Sequence, residues 1–203
     1  CFFFAMFVGN TPLHSAVECR NKDLPKIVKL LLDADSKGVA TKLKDKDGQL
    51  PVHSACNRRQ QNTLVVSMLV AASPQCLDVK LKNIFILQWA IDRNALDVVQ
   101  AAMTHSPQSF DAKCCKSKVT KKSETPLHYV CYDKPGVPLQ MMQLLAKSNA
   151  LNTKDSKGKL PLRILYEEGR KKELINCLKV AMGPTAFDEM FGDVADSSQV
   201  VIK

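Results

Sequence analysis

The chain of 203 residues predicts an all-α solenoid of five helix-turn-helix repeats. A short motif, Thr11-Pro12-Leu13-His14, returns as Leu50-Pro51-Val52-His53, Phe85-Ile86-Leu87-Gln88, Thr125-Pro126-Leu127-His128 and Leu160-Pro161-Leu162-Arg163. Measured at the second residue of each, the steps are 39, 35, 40 and 35 residues, a self-similarity typical of repeat arrays. Each motif is followed by apolar pairs three apart, the wide stripe of a core-facing helix. These are Ile27-Val28 with Leu30-Leu31, Val65-Val66 with Met68-Leu69, Val98-Val99 with Ala101-Ala102, Met141-Met142 with Leu144-Leu145, and Leu174-Ile175 with Cys177-Leu178.

Each motif is a helix start. Thr11 and Thr125 are suited to accept a hydrogen bond from an orphan amide of the first turn, and proline costs nothing at the next position because its missing donor is not needed there. Leu50 and Leu160 lack the cap, and Phe85-Ile86 lacks both cap and proline, so the middle repeat must be held by packing.

These residues resemble the ankyrin repeat. Its signature T-P-L-H-x-A matches Thr11 to Ala16 throughout and Leu50 to Ala55 at all but the first and third positions. The resemblance covers about residues 9 to 180 and implies helix pairs joined by finger-like hairpins, with the first helices and the fingers lining a concave surface. It places Lys46, Asp47 and Gln49 toward that surface. It also places Glu18, Asn57, Arg58, Asp92, Arg93, Tyr132, Asp133, Glu167 and Glu168 along it, with a summed charge of −3.

In chain order, residues 1–8 (CFFFAMFV) are apolar and too short for a membrane span, and their start without methionine leads us to expect a truncated or processed chain. It reads as a remnant packed on the first repeat, or as a sticky segment that docks on a partner. The solenoid spans 9–181, in units of about 9–45, 46–79, 80–111, 112–154 and 155–181. The third carries Ile84, Phe85, Ile86, Leu87 and the single tryptophan, Trp89; this is either a buried repeat or an apolar anchor for a partner. The largest insertion follows Val98, and residues 182–203 are predicted to form a capping helix and a tail.

The net charge of +9 is concentrated in the connections. Segments 37–48, 78–83, 111–124 and 154–159 carry +2, +1, +3 and +2, together +8. The segment 111–124 alone holds Lys113, Lys116, Lys118, Lys121 and Lys122 ahead of Glu124. Lys82, Lys157 and Lys159 sit in the other connections. Such a run is either a solvated face or a contact for an acidic partner.

Catalytic chemistry is not expected: no phosphate-binding glycine loop or nucleophile-base set stands out. His14, His53 and His128 occupy the repeated motif, where a structural hydrogen bond explains them. His53-x-x-Cys56 and His128-x-x-Cys131 place each cysteine at a small-residue packing position, so no metal or other cofactor is expected. Cys114-Cys115 lies between lysines whose charge favours thiolate, which leaves a redox role open. Of the eight cysteines several fall at helical packing positions, which suits a reducing compartment, cytoplasm or nucleus. The expectation is a non-catalytic protein-protein interaction module, an adaptor or a subunit of a larger assembly, whose partner has an acidic surface. Binding to nucleic acid or acidic lipid headgroups through the same lysines is the alternative, and a regulatory segment of a longer enzyme the third reading. No apolar run approaches a transmembrane length.

Overall fold

The structure, a computed structural model, describes residues 10–19, 21–57, 62–81 and 84–183. Five helix pairs follow one another: α1 (Pro12–Glu18) with α2 (Leu24–Ala34), α3 (Pro51–Asn57) with α4 (Thr63–Ala72), α5 (Ile86–Asp92) with α6 (Leu96–His105), α7 (Pro126–Asp133) with α8 (Leu139–Leu145), and α9 (Pro161–Glu167) with α10 (Lys172–Met182). Two short antiparallel hairpins, β1 (Lys80–Leu81) with β2 (Ile84–Phe85) and β3 (Cys115–Lys116) with β4 (Ser123–Glu124), lie between pairs. The chain forms two compact units that meet in sequence at Ser109 and Phe110. Three pairs belong to the first unit and two to the second.

Inside each unit, like stacks on like. In the first, α1 packs on α3, α2 on α4, and α4 most extensively on α6; in the second, α7 packs on α9 and α8 on α10. The apolar stripes of the second helices supply the core: Val65, Val66 and Leu69, then Val98, Val99 and Ala102, in the first unit, and Met141, Met142, Leu145, Leu174, Ile175 and Leu178 in the second. The first stripe departs from this. Only Val28 of its four is buried, Ile27 and Leu31 are half-buried, and Leu30, expected in the core, is 69% exposed. Among the described residues α2 has a neighbouring second helix on one side only, α4.

All five predicted starts begin a helix. The Thr11 hydroxyl accepts the His14 amide, and His14 Nδ1 takes the Thr11 amide in return, a reciprocal cap. Since Nδ1 accepts, Nε2 carries the proton and donates to the Gln49 carbonyl of the next connection at 3.0 Å. At Thr125 and His128 the hydroxyl again accepts the histidine amide and bonds Nδ1, with Nε2 donating to the Thr153 carbonyl at 3.1 Å. The motif thus ties each such repeat to the one after it. In α5, which has no side-chain cap, every residue from Ile86 to Ile91 is buried, as a repeat held by packing requires.

Leu160, the N-cap of α9, makes no side-chain cap bond. Restoring the cap with Leu160→Thr is expected to stabilise the second unit by about 0.5–1 kcal/mol, the usual worth of an N-cap less some lost apolar contact. Chemical denaturation of the two chains side by side checks this.

Burial holds the His53 and His128 rings below the ordinary imidazole range. It outweighs the Val79 backbone at His53, and the Asp155 and Glu124 carboxylates at His128. The unfolded chain, with its histidines near 6.5, therefore takes up protons first as the pH falls. Their stabilisation is complete above about pH 6.5 and is lost as the pH drops through the folded values. The urea midpoint should accordingly be level from about pH 8 to 7 and decline between about 6.5 and 5, with a shallower decline in His128→Gln.

Candidate functional site

Two kinds of finger join the helix pairs. The first and last are aspartate turns: Asp45 Oδ1 accepts the amides of Asp47 and Gln49, both at 2.8 Å, and Asp155 Oδ1 accepts those of Lys157 and Lys159 at 2.8 and 2.7 Å. Each turn needs a left-handed residue, which Gly48 (φ +73) and Gly158 (φ +78) supply. The finger that opens the second unit is of the other kind, a larger loop built on the β3–β4 hairpin.

This β3–β4 finger is anchored at both ends by carboxylates. Asp133, the last residue of α7, receives the Ser117 hydroxyl on Oδ2 at 2.6 Å and the Lys118 amide on Oδ1 at 2.9 Å. Ser117 Oγ in turn accepts the Val119 and Thr120 amides at 3.1 Å, and Lys121 closes the tip with a φ of 60°. Glu124, at the other end, is fully buried and receives both the Ser156 amide and its hydroxyl. Asp111, just before the finger, accepts the Asn149 side-chain amide and the Ala150 backbone amide.

The consequence is electrostatic. The segment's own acids face inward or are committed to structural bonds, while Lys113, Lys116, Lys118, Lys121 and Lys122 are all exposed. Among the described residues, Lys113, Lys118, Lys121 and Lys122 have no carboxylate within salt-bridge reach. The next finger differs. Lys159 and Arg163 converge on Glu167, and these two contacts, Lys159 first, hold that carboxyl below the usual carboxylate range. Lys157 lies over the Tyr132 ring, 5.5 Å from its centre.

Several predicted contacts are turned inward. Trp89 is only 5% exposed, and the Arg93 guanidinium stacks over its ring at 4.8 Å, so the tryptophan is core and not a presented anchor. Glu124 is spent on Ser156 and Asp133 on the finger. Tyr132 is buried with its hydroxyl on Asp155 Oδ2 at 2.6 Å; burial first, then that carboxylate, pushes the phenol up. Lys46, Asp47 and Arg93 are exposed, and Gln49 and Asp92 half-buried. Arg58, Lys82, and the side chains of Asn57 and Ile84 lie outside the described residues, as do residues 1–8 and 184–203. Sequence reasoning missed Arg170. Its guanidinium donates to the carbonyls of Cys131 and Tyr132 at the end of α7, in place of a helix cap. A lone arginine 38 and 39 residues from its targets has no local signature.

The cysteines of the packing positions are inert fillers. Burial pushes the Cys76 thiol up to about 12, and the Cys56 and Cys131 thiols higher still. Among the described residues no cluster of metal-ligating side chains occurs, and no helix is long and apolar enough to cross a membrane.

A family model of ankyrin repeats, in three copies, matches residues 13–114, half of the chain. No curated protein matches it. The match takes in the first three helix pairs. In the fourth, the Thr125–His128 cap repeats the hydroxyl–ring contact of Thr11 and His14, with the same 2.7 Å between oxygen and nitrogen.

Proposed function

The chain belongs to the ankyrin-repeat family, and from that premise we propose that it is a non-catalytic adaptor or structural subunit of a larger protein assembly. Ankyrin repeats make it a protein-protein interaction module; what the β3–β4 finger adds is a choice of partner. One observation supports that choice: Lys113, Lys118, Lys121 and Lys122 are exposed with no carboxylate within salt-bridge reach among the described residues, on a finger whose acids are committed elsewhere. A surface that is positive, held in shape and not self-neutralised favours an acidic protein patch, chiefly through encounter rate and specificity. Partner contacts are assigned to Lys113, Lys116, Lys118, Lys121 and Lys122, with Lys46, Asp47, Arg93 and Lys157 as exposed candidates elsewhere. A reducing intracellular compartment fits the cysteines buried as packing groups.

The test is native purification at moderate salt with mass spectrometry of what remains bound. A stoichiometric set of protein subunits is the expected result. A free monomer that carries only nucleic acid or lipid, and loses it steeply as salt rises, would replace this reading with the anionic-surface one.

A further inference from the structure

Cys114 and Cys115 stand at the root of the β3–β4 finger, and nothing above uses their chemistry. Successive side chains of a regular strand point to opposite faces. Cys114, however, precedes β3, and the two sulfurs lie on the same side, 3.7 Å apart. Cys114 is half-buried and Cys115 fully buried. One thiol is thus open to a small reagent, while the other is held against it and shielded. The remaining described cysteines of this unit are Cys131, which is fully buried, and Cys177, whose thiol burial pushes up. Neither is adjacent to another cysteine in the sequence.

We infer that Cys114 and Cys115 form a redox-active vicinal dithiol whose substrate is a peroxide. The Cys114 sulfur attacks hydrogen peroxide and the O–O bond breaks. Cys114 becomes a sulfenic acid, and its thiol proton leaves in the first water. The Cys115 sulfur then attacks the sulfenic sulfur; an S–S bond forms, the S–O bond breaks, and the hydroxyl leaves with the Cys115 proton as a second water. Two thiols lose two electrons and one peroxide gains them. A dithiol reductant reverses the step by exchange.

Ring closure also reaches the lysines. The sulfurs must draw together from 3.7 Å to about 2.0 Å. Cys115 opens β3 in register with Glu124, and Ser117, two residues on, is the finger's tie to Asp133. Oxidation therefore bears on the strand that positions Lys116 and Lys118.

The experiment treats the folded, reduced full chain with hydrogen peroxide, alkylates what remains, and maps the digest by mass spectrometry. The expected product is an internal Cys114–Cys115 disulfide, a loss of about 2 Da that a dithiol reductant restores. In Cys115→Ser the same treatment should leave Cys114 as a sulfenic acid trapped by dimedone, and in Cys114→Ser the finger should take up neither oxidant nor dimedone. Both thiols alkylated in full, or oxidation confined to Cys19 or Cys177, would overturn the inference. The readout is a covalent mass, so it stands or falls apart from the partner proposed above.

Discussion

Charge reversal of Lys118, Lys121 and Lys122 together is expected to release the bound partner, lowering its affinity by roughly a hundredfold at moderate ionic strength. The three side chains are exposed and have no ion pair among the described residues, so the substitutions break no internal contact. The clasp that shapes the finger uses the Ser117 hydroxyl and the Lys118 backbone amide, both of which Lys118→Glu retains. Circular dichroism and thermal midpoint should stay close to those of the parent, while co-purification fails. Reversal of Lys159 is the informative companion. That lysine is already paired with Glu167, so its loss should weaken partner binding much less. Unchanged retention of every subunit by the triple variant would remove the finger from the interface.

The largest expected loss of stability comes from Asp155→Ala. This one buried carboxylate accepts the Tyr132 hydroxyl and the amides of Lys157 and Lys159. Its removal leaves the Tyr132 hydroxyl buried without a partner and unties the turn. At the usual 1–3 kcal/mol for each stranded buried group, with water rescuing part of the exposed backbone, about 3 kcal/mol is expected. For a unit of this size that lowers the melting temperature by roughly 10–20 °C. Asp155→Asn keeps an acceptor for the amides and should lose less than half as much. Burial alone would raise the Asp155 carboxyl, but the Tyr132 hydroxyl and the two amides outweigh it and hold it below the usual range. Its contribution is therefore present above about pH 4 and disappears as the pH falls through the folded value.

The fold was legible because its local signals are chemical. Pro12, Pro51, Pro126 and Pro161 could be read as first-turn residues, and even Ile86, with neither cap nor proline, fell in place from the repeat spacing. What composition could not convey was direction. Trp89 admits both a buried and a presented reading, while Tyr132 and Glu124 read as contacts; all three are buried, Trp89 in the packing of an uncapped helix and Tyr132 and Glu124 in cross-ties to Asp155 and Ser156. The lysines were legible because an exposed cation at a loop tip needs no partner within the chain, whereas the Ser117–Asp133 tie spans 16 residues and leaves no periodic trace. Leu30 shows the converse. Its place in the stripe is sound, but burial also needs a neighbour on that side, which periodicity does not report.

The bonds that cross from the fourth helix pair to the fifth have a consequence for how the second unit comes apart. Thr153, Asp155, Ser156 and Arg170, all C-terminal to α8, serve His128, Tyr132, Glu124 and the last turn of α7 respectively. An ordinary terminal repeat frays by itself, since it surrenders a single stacking interface. Here the fifth pair cannot leave without stranding the buried His128, Tyr132 and Glu124 of its predecessor and the last carbonyls of α7, so the two pairs are expected to exchange as one block. Opening of the second unit is then expected to be all-or-none, and the lysine finger rooted in it to keep its shape until the whole block opens.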